Sequence, residues 1–241
     1  MNKMKNFWQN KTVLITGING FIGSNLAKYL LKNNAKIYGL IRKIDKNTLL
    51  FYEKLDKKIN LFYGDVTDIQ LIKRIINEEN INHIFHLAAQ VEVGIAMKYP
   101  FSTFESNVKG TYSILEAART SASKINSIIV ASSDKSYGEY PGSKLPYKES
   151  YPLNPKFFYD TSKACADMIS KSYASNPKKP LPIIITRFAN IFGPGQMNFS
   201  ALIPDCIKSS LRYTTFEPRG NGEDTRDFLY VEDVAEIYEV L

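Results

Sequence analysis

The chain has 241 residues, 44% of them hydrophobic and 23% charged, which excludes a disordered chain and allows one domain or two closely joined ones. Its formal net charge is +7, but the lysines are spread along the whole length and form only short tracts such as Lys54–Lys58 and Lys178–Lys179. That distribution reads as a solvated basic surface, so neither a nucleic-acid nor a membrane partner is expected. No run reaches the ~18 apolar residues needed to span a bilayer. The opening MNKMKNFWQNK has no apolar stretch typical of a secretory leader, and a cytoplasmic location is expected. Cys165 and Cys206 lack metal-ligand spacing and read as small buried residues in a reducing compartment. Two histidines, His83 and His86, are too few for a metal site, so no metal is expected.

Strand and helix patterns alternate along the chain. Val13–Thr16 is an apolar run followed by a glycine-rich turn, and Ile22–Leu31 places Ile22, Leu26 and Leu30 on one helical face. Ala35–Ile41 and Ile59–Tyr63 read as the second and third strands. Thr67 or Asp68 caps a helix running through Asn77. His83–Leu87 is a fourth strand, and Thr103–Thr120 has a long helical pattern. Ser127–Ala131 is a fifth strand, Tyr159–Ala174 a helix, and Pro182–Phe188 a sixth strand. Alternation of this kind predicts an α/β fold, a doubly wound parallel sheet with right-handed crossovers. Residues 1–180 are expected to hold a dinucleotide and the catalytic groups, and residues 181–241 to add strand six and part of a substrate region. Gly and Pro cluster in Tyr137–Pro155 and Gly193–Gly222, beyond the carboxyl ends of strands five and six, where ligands bind in open parallel sheets.

Thr16-Gly17-Ile18-Asn19-Gly20-Phe21-Ile22-Gly23 follows a strand and opens a helix. Glycines so placed permit a tight turn and close approach to a pyrophosphate, which the helix N-terminus then binds. The second strand ends Leu40-Ile41-Arg42-Lys43, with no carboxylate before Asp45. Arg42 therefore favours the 2′-phosphate of NADP slightly over NAD, although an arginine at a strand end is also simply solvated. Asp65-Val66 either frames the adenine or caps a helix. Tyr159 and Lys163, four apart, share one helix face, where an ammonium lowers the phenol's pKa. Ser133 supplies a hydroxyl at the end of strand five.

These residues resemble the extended short-chain dehydrogenase/reductases, in their NAD-dependent epimerase/dehydratase branch. The likeness runs from about Lys11 to Leu241 and includes His86-Leu87-Ala88-Ala89, Asn107–Gly110, Arg187–Pro194 and Arg226–Asp233. It implies a Rossmann-like domain, a bound nicotinamide dinucleotide, a nucleotide-sugar substrate and a homodimer built from Thr103–Thr120 and Tyr159–Ala174. It assigns catalysis to Ser133, Tyr159 and Lys163, with Leu87, Ala88 and Ala89 beside the cofactor. On the substrate side it places Asn190 and Arg226, which match residues that hold a nucleotide diphosphate, and Asn107, which matches an asparagine steadying the active-site helix. His86 reads as a core histidine. Asp134-Lys135 looks like the acid–base pair of CDP-glucose and inverting UDP-N-acetylglucosamine 4,6-dehydratases, which lose water from the sugar. A surface charge and a turn, with 4-epimerase or reductase chemistry, is the alternative. Families of this type usually continue well past Arg226-Asp227-Phe228, so the substrate region is expected to be incomplete, which leaves a non-catalytic dinucleotide-binding module as a third reading.

Overall fold

In the computed structural model, which describes residues 7–218, 220–223 and 225–241, the apolar runs become six parallel strands. They are β1 (Thr12–Thr16), β2 (Lys36–Ile41), β3 (Asn60–Tyr63), β4 (His83–His86), β5 (Ser127–Ala131) and β6 (Ile183–Thr186), in the order β3-β2-β1-β4-β5-β6. The strand order reverses between β1 and β4, which creates the crevice where ligands bind in such sheets. The register, with Val13 beside Ile37 on one side and beside His83 on the other, aligns the strand ends that open onto that crevice.

Around the sheet lie α1 (Phe21–Lys32), α2 (Leu49–Tyr52), α3 (Ile69–Glu78), α4 (Val93–Lys98), α5 (Pro100–Phe104), α6 (Gly110–Thr120), α7 (Phe158–Ala174), α8 (Leu202–Leu211) and α9 (Val231–Val240). Side chains alternate across the sheet with period two. Val13, Ile15, Phe85 and Ile129 therefore join Leu26 and Leu30 of α1 and Val234 and Tyr238 of α9 in one core. Leu14, Ile84, Ile128 and Val130 join Ile72 and Ile75 of α3 and Ile114 and Leu115 of α6 in the other. Each such side chain, once fully buried, contributes about 1.5–3 kcal/mol. Asp68, not Thr67, caps α3, its carboxylate accepting from the Leu71 amide at 3.0 Å.

Two expectations change. The single helix expected over Thr103–Thr120 is α5 and α6 joined by a π-helical turn over Glu105–Lys109. One extra residue in the turn rotates the side chains around Asn107, and such turns recur at functional sites. Cys206 is exposed and Cys165 half-buried, so neither is a buried core residue. The reason for Cys206 is that α8 turns only Pro204 and Ser209 inward. Strands β7 (Asn190–Phe192) and β8 (Phe228–Tyr230) form a second, two-stranded parallel sheet with Asn190 beside Phe228. Among the described residues no helix is long and apolar enough to cross a membrane, and no cluster of His, Cys, Asp and Glu is arranged to hold a metal.

Candidate active site

At the carboxyl ends of β1, β2, β4, β5 and β6 lies a cavity of about 420 Å³. Its first wall is the turn between β1 and α1. Gly17 has φ +70°, and a Cβ there would come within 2.8 Å of the Ala88 backbone. A Cβ on Gly23 would stand 2.3 Å from the Gly17 carbonyl oxygen. Only glycine lets α1 start this close to β1, and the Gly20 amide closes the turn by donating to the Gly17 carbonyl at 2.9 Å. The first amides of α1 then face the cavity with the positive end of the helix dipole. Gly17, Asn19, Gly20, Phe21, Ile22 and Gly23 all line it, as do Leu87, Ala88 and Ala89 after β4. A cradle made by backbone and small residues, with free helix amides, fits a dinucleotide pyrophosphate.

Farther along the edge stand Arg42, Asp65 and Val66, which also line the cavity. The Arg42 guanidinium lies 4.0 Å from the Asp65 carboxylate, both side chains being well exposed. Asp65 also accepts from the amide and hydroxyl of Thr67, each at 2.9 Å, so it both shapes the turn after β3 and faces the cavity.

The opposite end carries the side chains expected to act as acid and base. Ser133 and Tyr159 line the cavity, and Lys163 lies one helical turn beyond Tyr159, buried at 6% exposure. The Lys163 ammonium donates to the Ala131 carbonyl at 2.9 Å, and burial pulls its pKa down to about 8. Burial pushes the Tyr159 phenol up to about 12; the neighbouring Ser133 hydroxyl pulls it the other way, and Asp134 and Asp160 push it further up. Lys163 is not among the groups that move the phenol, and desolvation sets the direction of its shift. His86 is the core histidine expected. Its two ring nitrogens meet the hydroxyls of Thr16 at 2.9 Å and Thr111 at 3.1 Å, and burial holds it neutral with a pKa of about 3.

Asn107 does not line the cavity. It is 2% exposed and its amide is fully used: Oδ1 accepts from the Gln90 amide at 2.7 Å, and Nδ2 donates to the Gln90 carbonyl and the Ser162 hydroxyl, both at 2.9 Å. Ser162 in turn donates to the Tyr159 carbonyl at 2.7 Å. Asn107 is therefore a positioning residue that ties the segment after β4 to α7, not a substrate contact. Asp134 and Lys135 follow Ser133 in a 3₁₀ turn (Asp134–Tyr137) just outside the lining of the cavity, with Lys135 Nζ 3.9 Å from Asp134 Oδ2. Ser133 Oγ donates to Asp134 Oδ1 at 3.0 Å and accepts from the Lys135 amide at 3.2 Å, so one hydroxyl organises the pair. Asn190 and Arg226 are exposed and lie outside the cavity. The β7–β8 pairing nevertheless brings their segments together, the Asn190 amide donating to the Asp227 carbonyl at 3.1 Å.

Sequence reasoning missed several lining residues. Thr186, Phe188, Gln196 and Tyr238 come from β6, the segments after it and α9. No local motif marks them, because only the packing of α9 on α1 brings Tyr238 to the cavity. Also unforeseen is the buried pairing of Arg187 with Asp167, two bonds at 2.6 and 3.0 Å, which locks the end of β6 to α7.

A parallel sheet in this order, with its glycine turn, its Tyr159–Lys163 pair and Ser133 at one crevice, defines the extended short-chain dehydrogenase/reductase fold of the epimerase/dehydratase type. Within it the chain belongs to the GDP-mannose 4,6 dehydratase family, whose model matches residues 14–241. A dTDP-D-glucose 4,6-dehydratase of Dictyostelium discoideum is 33% identical over 245 residues, covering 95% of this chain and 55% of that protein. The chain thus spans about half the length of that relative. Among solved structures, a dTDP-glucose 4,6-dehydratase of Streptomyces venezuelae with NAD bound superposes with TM-score 0.83 at 26% identity, over 95% of this chain and 71% of the other. A UDP-glucose 4-epimerase of Thermotoga maritima with UDP-glucose gives 0.83 at 25% identity, over 93% and 71%.

Proposed function

We propose that the chain is the cofactor-binding and catalytic portion of a nucleotide-sugar 4,6-dehydratase that uses a bound NAD or NADP. The observation that carries this reading is that Ser133, which lines the cavity together with Tyr159, holds both the Asp134 carboxylate and the Lys135 backbone amide on its hydroxyl. Residues 1–180 supply cofactor and catalytic groups, and residues 181–241 supply β6 and part of the substrate side.

Gly17, Gly20 and Gly23 with the first turn of α1 hold the pyrophosphate, and Arg42, Asp65 and Val66 surround the adenosine end. Arg42 favours a 2′-phosphate; Asp65 facing it at 4.0 Å, and the NAD in the similar Streptomyces venezuelae structure, favour NAD. When bound, the dinucleotide supplies reversible hydride transfer. Tyr159 takes the proton of the sugar 4-hydroxyl, and Ser133 holds that hydroxyl. A phenol near 12 is protonated at neutral pH, so this step needs a positive charge close by, and the buried Lys163 ammonium is the one this chain supplies. Oxidation at carbon 4 acidifies the carbon 5 proton. Lys135, acting as a free amine, would remove it while Asp134, acting as a carboxylic acid, protonates the departing 6-hydroxyl; return of the carbon 4 hydride to carbon 6 and of a proton to carbon 5 would then give the 4-keto-6-deoxy sugar. Asn190 and Arg226 hold the nucleotide diphosphate.

A second copy of the chain completes the assembly. Large apolar side chains lie exposed on α4, α5 and α7, among them Met97, Phe101, Phe158 and Met168. Light scattering at micromolar concentration is expected to give a dimer, and a monomer would remove this part of the reading.

The test is to add the purified protein to a panel of nucleotide sugars with NAD or NADP and to follow products by mass spectrometry. Loss of one water, giving a 4-keto-6-deoxy sugar, supports the dehydratase. An epimer of unchanged mass supports the 4-epimerase reading, which rests on the likeness to the Thermotoga maritima enzyme. Dinucleotide binding with no turnover supports a binding module.

A further inference from the structure

The segment that follows β7 carries a buried, unused hydrogen-bond acceptor on a residue that lines the cavity. Gly193-Pro194-Gly195-Gln196 is a type II turn: Pro at the second position, Gly195 at the third with φ +85°, and the Gln196 amide donating back to the Gly193 carbonyl at 3.3 Å. The turn is anchored on both sides. The buried Asn25 of α1 donates through Nδ2 to the Pro194 carbonyl at 2.9 Å, and a Cβ on Gly195 would meet Leu49 of α2 at 2.9 Å. Gln196 therefore leaves the turn at a set place, and it lines the same cavity as the glycine loop.

Its amide can be oriented in only one sense. Nε2 donates to the Ile191 carbonyl at 3.1 Å, and reversing the amide would place two acceptors against each other. The oxygen is thus the atom left without a partner. Gln196 Oε1 is buried and has no hydrogen-bond partner in the protein. A buried unpaired acceptor costs about 1–3 kcal/mol, an expense seldom kept without a ligand to relieve it. The missing partner must be a donor. Phosphate oxygens are acceptors, so the pyrophosphate bound at α1 cannot supply it, whereas a ribose hydroxyl can.

We propose that Gln196 is a cofactor-binding residue whose Oε1 accepts a hydrogen bond from a ribose hydroxyl of the dinucleotide, the 193–196 turn acting as a fixed strap beside the pyrophosphate loop. This rests on the dinucleotide reading of the cavity and adds a contact to it. The two riboses share this chemistry, and fragments separate them: ADP carries only the adenosine ribose, and ADP-ribose carries both.

The experiment is calorimetric titration of the intact chain and of Gln196→Leu with NAD, ADP-ribose, ADP and 3′-deoxy-ADP. NAD should bind the variant about tenfold more weakly, with circular dichroism unchanged. If the penalty persists with ADP, the adenosine ribose is the donor; if it appears only with ADP-ribose and NAD, the distal ribose is. Should Gln196→Leu misfold, the unmutated chain still decides the adenosine arm through 3′-deoxy-ADP against ADP, and the distal arm through NAD against its analogue with a deoxygenated nicotinamide ribose. Affinity within twofold for every mutant and every deoxygenated ligand, with NAD still bound, overturns the Gln196 contact alone. An unmutated chain that binds none of the four ligands overturns the dinucleotide reading and the contact with it.

Discussion

Around Tyr159 and Lys163 each supporting group is held by another. Asn107 grips Gln90 and Ser162, Ser162 grips the Tyr159 backbone, and the Lys163 ammonium is seated on the Ala131 carbonyl. Two residues past Ser133, the Lys135 backbone is tied into its turn while its side chain makes a 3.9 Å ion pair with Asp134 and is 47% exposed. Asn190 and Arg226 are likewise exposed at the outer sheet. The comparison separates a preorganised centre, built into the sheet and α7, from a more exposed rim. In the proposed chemistry the centre serves proton removal at carbon 4, and the rim serves elimination and nucleotide binding. Rigid placement matters most where a proton must move within a fixed geometry.

The sharpest break should come at the centre. Tyr159→Phe should lower turnover by about 10²–10⁴-fold, the usual range for losing a general acid–base group, while NAD affinity stays within a few-fold. A variant that keeps normal turnover would move the proton transfer elsewhere. At the rim, Lys135→Ala should slow elimination by roughly 100-fold and leave oxidation at carbon 4 largely intact. Absorbance at the reduced-nicotinamide band should then rise on adding substrate. Normal elimination in this variant would make Lys135 a surface charge and bring the epimerase reading forward.

Asn107→Ala tests how the centre is held. It strands the Gln90 amide and carbonyl, which should cost about 1–3 kcal/mol, or roughly 2–4 °C of Tm per kcal/mol for a chain of this size. Turnover should fall more than NAD binding, since Asn107 orients α7 and touches no ligand.

Lys163 predicts a pH dependence of stability. Its pKa is about 8 in the folded chain, below the ~10.4 of an unfolded lysine. Below pH 8 both states are protonated and the folded state carries the full desolvation cost. Between about 8 and 10.4 the unfolded chain binds more protons, so this group makes stability rise with pH. Chemical denaturation of Lys163→Met at pH 7.5 and 9.5 should show a smaller rise than the unmutated protein. The smallest effect belongs to Arg42→Ala, expected to weaken NADP several-fold more than NAD by titration; equal effects would remove the 2′-phosphate contact.

How much of this was readable beforehand follows from the range of the interactions. The six strands, the glycine turn and the Tyr159–Lys163 face depend on neighbours within a few residues, and their patterns are written locally. The π-helical turn at Asn107 could not be read, because the helical period continues through it and only the bonds to Gln90 and Ser162 distinguish it. Cys206 was misjudged for a related reason: an apolar helix pattern does not say whether anything covers it, and α8 leaves Ile207 and Leu211 exposed. The sequence by itself determined a doubly wound sheet, the glycine turn and the shared helix face of Tyr159 and Lys163. Only the tertiary structure decided that burial, not Lys163, dominates the Tyr159 phenol, and that Tyr238 and Gln196 reach the cavity. Desolvation and long-range packing depend on what surrounds a residue in space, and a linear pattern does not carry that information.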